Sequence, residues 1–124
     1  MAISFHTEYI VFPDIDKNRV TRWIELIAKN YRKSIGDLTF IFCDDEKILE
    51  INLEFLKHDF YTDIITFDYS ENNKISGDIF ISLDTVLSNS QKYQTNFLYE
   101  LHRVIIHGIL HLCGLNDKSE EEQA

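Results

Sequence analysis

A chain of 124 residues, 44% hydrophobic and 13% aromatic, is the length of one domain and has enough apolar material for a core without disulfides. Its two cysteines, Cys43 and Cys113, form no CxxC, and a formal charge of −9 excludes a protein that coats nucleic acid over its whole surface. No apolar run approaches the ~20 residues that span a bilayer, and residues 1–10 carry neither a cationic nor an apolar leader segment, which predicts a cytoplasmic protein.

In chain order, residues 3–6 alternate and predict a short strand. From 16 to 33, Val20, Trp23, Ile24, Ile27 and Tyr31 recur at helical spacing, with Asp14 or Asp16 as cap and Gly36 past the end. Arg22, Lys29 and Lys33 share the opposite side of that helix, either as a local basic face or as an ordinary solvated one. Residues 38–42, rich in aromatic and β-branched types, predict a buried strand. Asp44 suits the N-cap of a helix carrying Ile48, Leu49, Ile51, Leu53 and Leu56. Residues 62–69 and 76–82 predict a hairpin about Asn72 and Asn73. Ser82 or Asp84 opens a helix to about Tyr93, and a last helix runs from near Asn96 to Gly114, a residue suited to a left-handed helix exit. The order β-α-β-α-β-β-α-α predicts a single α+β domain over residues 1–124, with a mixed sheet of about four strands and helices packed on it.

The last helix carries the chemistry. Leu98, Leu101, Val104, Ile105, Gly108 and Leu112 make a wide apolar face, while Glu100, Arg103, His107 and His111 draw a polar stripe along it. At about 100° per residue, His107 and His111 lie about 40° and one turn apart, so one ion can sit ~2.0–2.1 Å from both imidazoles. Imidazole suits zinc, nickel, copper and iron, so the pair alone does not name the metal. The competing reading is two core histidines bonded to backbone or carboxylates. Gly108 between them costs ~1 kcal/mol of helix stability relative to Ala, which points to a close approach there. Beyond Gly114, the turn Leu115-Asn116-Asp117 can bring a carboxylate back, completing two His and one Asp with a fourth position open. Cys113 lies about 200° round the helix from His111 and is not placed to join them. The H-E-x-x-H pattern of zinc peptidases is absent, because Gly108 stands where its general base would be.

His107-Gly108-Ile109-Leu110-His111-Leu112-Cys113-Gly114 resembles the H-G-x-L-H-L-x-G-x-D-H signature of the YbeY family of endoribonucleases. Thr62-Asp63-Ile64-Ile65-Thr66-Phe67 is similar to that family's T-D-V-L-S-F strand, Gly77-Asp78-Ile79 to its G-D-I strand, and Asn52 falls in its L-N helix segment. The resemblance implies a metal-dependent, single-strand-specific endoribonuclease of 16S rRNA 3′ end maturation and ribosome quality control. It implies one divalent ion, zinc by preference, with RNA and the ribosome or its small subunit as partners, and no DNA or membrane partner. His107 and His111 become the first two ligands. The family's third His falls on Asp117, and its helix-to-strand Arg falls on Leu56. Lys57 and His58, next to Leu56, are then the candidates for phosphate contact. His58 is equally readable as a surface histidine. Asp63 and Asp78 either orient the ligands by hydrogen bonds or cap turns.

Two rival functions follow from the same residues. One is a noncatalytic ribosome-associated factor whose metal only pins the last helix. The other is a metallohydrolase of small phosphoesters or amides, which requires a narrow, closed pocket over His107.

Overall fold

The computed structural model describes residues 2–56 and 62–114. Its elements run β1 (Ala2–Thr7), α1 (Lys17–Asn30), β2 (Ser34–Cys43), α2 (Asp45–Ile51), a π-turn (Asn52–Leu56), β3 (Ile64–Asp68), β4 (Lys74–Ser82), α3 (Leu83–Lys92) and α4 (Phe97–Leu112). The expected α+β architecture is present, with a mixed four-stranded sheet in the order β1-β2-β4-β3. β1 and β4 both run parallel to β2, and β3 pairs antiparallel with β4.

Each helix begins where a side chain can accept from the first exposed backbone amides. Asp16 accepts from the Arg19 amide at 3.2 Å and Asp44 from Lys47 at 2.9 Å. Ser82 accepts from Thr85 at 3.3 Å and Asn96 from Tyr99 at 2.7 Å. α1 stops at Asn30, three residues earlier than expected, and the turn is made by Arg32, which takes a φ of 60°. Gly36 does not end the helix. It lies inside β2, pressed against Ser76, at the register irregularity between Ile35 and Leu38. β2 therefore begins four residues ahead of the expected strand. The predicted helix through Leu56 is a short α-helix that loosens into the π-turn, with Leu53 half exposed.

The period-2 pattern of the strands sorts their side chains into two layers. Leu38, Phe40 and Phe42 of β2 and Ile79 and Ile81 of β4 face α1, α3 and α4, and pack with Ile24, Val86, Leu101, Ile105 and Ile109. The other face carries a smaller cluster of Cys43, Ile48, Ile51 and Ile65, with Phe67 and Phe80 against it, under α2. Asp45 ties the two layers together at one end of the sheet. Its Oδ1 accepts hydrogen bonds from Ser82 Oγ and Thr85 Oγ1, each at 2.6 Å. Among the described residues no helix is long and apolar enough to cross a membrane.

Candidate functional site

α4 is a core helix on one side and carries a polar, partly exposed row on the other. Leu101, Val104, Ile105, Gly108, Ile109 and Leu112 are buried, Tyr99 and Arg103 are exposed, and His107 and His111 are half-buried. The two imidazoles thus sit where the helix leaves the core, partly desolvated yet reachable. Gly114 follows with a φ of +98°, the left-handed exit that the sequence predicts, and open space surrounds it.

The close approach expected at Gly108 is real, but it comes from the sheet. A Cβ there would meet Ile64 Cδ1 at 2.9 Å and Ile79 Cγ2 at 3.5 Å. The glycine lets α4 lie tightly on β3 and β4, and so fixes how far the His pair stands from the sheet. Leu98, expected in the buried face, is instead 38% exposed. His102 is a packing residue: its Nδ1 donates to the Leu98 carbonyl at 2.6 Å and its ring leans on Trp23 at 5.8 Å.

The polar stripe holds a further surprise. Glu100 is not on the solvent side; it is 2% exposed. A buried carboxylate needs a partner, and Arg103 supplies it bidentately, Nε to Oε1 at 3.0 Å and Nη2 to Oε2 at 2.6 Å. These bonds, with the Glu100 charge, hold the guanidinium above its ordinary value. The same Nη2 lies 3.9 Å from Asp63 Oδ2, at the entry to β3. The sequence places Arg103 on the stripe, and the i,i+3 Glu-Arg spacing is the signal in it for this pairing.

Asp63 and Asp78 separate. Asp63 lies on the α4 side, beside Arg103, and its carbonyl accepts from the Ser82 amide at 3.0 Å. Asp78 pairs in register with Phe67. Residues opposite each other in an antiparallel pair point to the same face, so Asp78 is on the α2 face with Phe67, away from α4. Its contact is the Tyr69 hydroxyl at 3.5 Å. Of the two, only Asp63 lies on the side of the sheet that carries the His pair. Asn52 is buried where α2 passes into the π-turn.

Lys57, His58 and Asp117 lie outside the described residues. Among the described residues no group of three His, Cys, Asp or Glu side chains could hold a metal. The donor set that is described, two neutral-capable imidazoles one turn apart on a rigid helix, fits a divalent ion of the zinc type and leaves coordination positions for a third ligand.

A family model described as endoribonuclease YbeY matches residues 3–124. A protein of Bacteroides fragilis named endoribonuclease YbeY is 58% identical over 123 residues, covering 99% of this chain and 88% of that protein. One of the same name from Parabacteroides distasonis is also 58% identical, covering 99% of this chain and 87% of its own length. The solution structure of TM1509 from Thermotoga maritima superposes with a TM-score of 0.64 at 28% identity, over 93% of this chain and 74% of that one. With the family model spanning nearly every residue and α4 presenting the paired histidines of the motif, this chain belongs to the YbeY family.

Proposed function

We propose that this protein is a metal-dependent endoribonuclease that cuts single-stranded RNA. We place its work in the cytoplasm, in maturation of the 16S rRNA 3′ end and ribosome quality control, with the small ribosomal subunit as partner. The observation that carries the reading is the pair His107 and His111, one turn apart at the half-buried end of α4 in a chain of this family.

His107, His111 and Asp117 would hold the ion, zinc by preference, with Lys57 and His58 against the RNA backbone. A divalent cation in such a site supplies Lewis acidity towards a phosphodiester. The chain's own contribution is placement. α4 is fixed by its buried face and by the tight seat of Gly108 on Ile64 and Ile79, so the imidazoles need little reorganisation when they bind. Asp63 lies beside Arg103, at the start of β3 on the same side of α4.

The test is cleavage of an unstructured RNA oligonucleotide with zinc or manganese added. His107→Ala should lose at least ~100-fold in rate, the upper end of the ~10–100-fold typical for losing a residue that only supports a metal ligand. Cleavage at the wild-type rate by that variant would end the metal-dependent reading. A noncatalytic ribosome-associated factor is the second reading, favoured by Leu56 standing where the resemblance expects an Arg. It predicts an ion closed by four protein ligands, which X-ray absorption on the metal-loaded protein distinguishes from an open site.

A further inference from the structure

Four residues of α4 follow one another at i+4 steps: Tyr99, Arg103, His107 and His111. Each step advances about 6 Å along the axis and about 40° around it, so the four side chains form one slowly winding row. The row ends in the His pair. Its first two members are the most open, with Tyr99 60% exposed and the Arg103 side chain 47% exposed.

Arg103 is held in an unusual way for a surface cation. Glu100, almost wholly buried, grips its Nε and Nη2 edge, which fixes the plane and direction of the guanidinium. The Asp63 contact falls on the same Nη2 at 3.9 Å, beyond hydrogen-bond length. The Nη1 amine, on the far side of the planar fork, has no partner among the described residues. Neutralising Glu100 alone needs only a cation, which Lys could supply. A planar fork with one edge anchored and the other open is what a bidentate acceptor such as phosphate requires.

We propose that Tyr99 and Arg103 form an RNA-binding track leading to the His pair, Arg103 holding a backbone phosphate and Tyr99 stacking a neighbouring base. The inference rests on the endoribonuclease reading and names substrate contacts for that same site. Glu100, Arg103 and Asp63 together carry a charge of −1, so oriented hydrogen-bond donation recruits the phosphate, and the long Asp63 contact is the one it displaces. In a protein of net charge −9, a fixed donor of this kind matters more than diffuse attraction. An exposed tyrosine offers its face to any base, which suits a single strand read without sequence choice.

The test uses the full chain in chelator, with fluorescence anisotropy of a labelled unstructured RNA, and cleavage assayed separately with metal. Arg103→Ala should weaken binding about tenfold or more and reduce the slope of log affinity against log salt by about one. Tyr99→Ala should weaken binding with the slope unchanged, and Tyr99→Phe should restore it. Arg103→Ala leaves Glu100 unpaired and can fail to fold. The double variant Glu100→Gln with Arg103→Gln removes both charges, and circular dichroism reports whether it keeps the fold. If the folded double variant binds RNA with wild-type affinity and slope, the track is overturned. In that case cleavage by the wild type leaves the endoribonuclease reading standing. A wild-type protein that neither binds nor cuts RNA overturns both.

Discussion

Cys43 has no exposed surface, and burial, with Asp44 and Glu8 close by, pushes its thiol up to about 12. The protonated form is therefore the folded form. Because the ordinary value is 9.0, the unfolded chain gives up its proton first as pH rises, so this contribution is intact below pH 9 and is lost between 9 and about 12. In native protein at pH 8, Cys43 should resist iodoacetamide while the same thiol reacts in urea; mass spectrometry of the alkylated peptide reads the difference. Two glycines make a second test at this scale. A Cβ on Gly108 overlaps the movable tip of the Ile64 side chain and touches Ile79 at ordinary contact distance, and Ala raises helix propensity by ~1 kcal/mol, so Gly108→Ala should change stability by about 1 kcal/mol or less. A Cβ on Gly77 runs into the Phe67 carbonyl, a ladder group that cannot yield without opening β3 from β4. Gly77→Ala should cost about 2 kcal/mol or more, read by urea denaturation. The glycine beside the histidines is the tolerant one.

Between elements, the Asp45 carboxylate is the joint where α2, β4 and α3 meet. Removing it in Asp45→Ala strands the buried Ser82 hydroxyl and a Thr85 hydroxyl, and should cost about 1–3 kcal/mol in a chemical melt, with Asp45→Asn recovering part. Much at this scale was legible beforehand. The caps Asp16, Asp44, Ser82 and Asn96 announce their helices because only a short polar side chain can satisfy the first amides. The apolar rhythm of α4 likewise gave its length and its His pair. The start of β2 was not legible, since Gly36 reads as a helix stop, and Arg32 adopts the left-handed turn at a cost that tertiary packing outweighs. Nor was the burial of Glu100, because a charged residue at helical spacing reads as solvent-facing until its partner is known. The separation of Asp63 from Asp78 needed the β3–β4 register, which no local signal sets.

At the scale of the molecule, neither hydrophobic cluster draws on the His pair, so the fold and the ion should part company. EDTA should abolish RNA cleavage while far-UV circular dichroism stays constant and Tm falls by only a few degrees, unlike a zinc finger, which unfolds without its metal. Collapse of the spectrum on chelation would favour the structural-metal reading. The central pairing of the sheet carries a consequence for how the protein comes into being. Leu38 pairs with Gly77 and Phe42 with Ile81, so the parallel centre joins positions 39 apart, and no shorter stretch of chain can form it. During synthesis from the N-terminus, β1 and β2 can pair with each other, but β2 must wait for β4 before its second edge is covered. α4 emerges later still, and until it does Ile79 and Ile81 lack part of their cover. The face that carries the His pair is thus the last of the described elements to be made, and a nascent chain cannot present these histidines in place before α4 has closed the core.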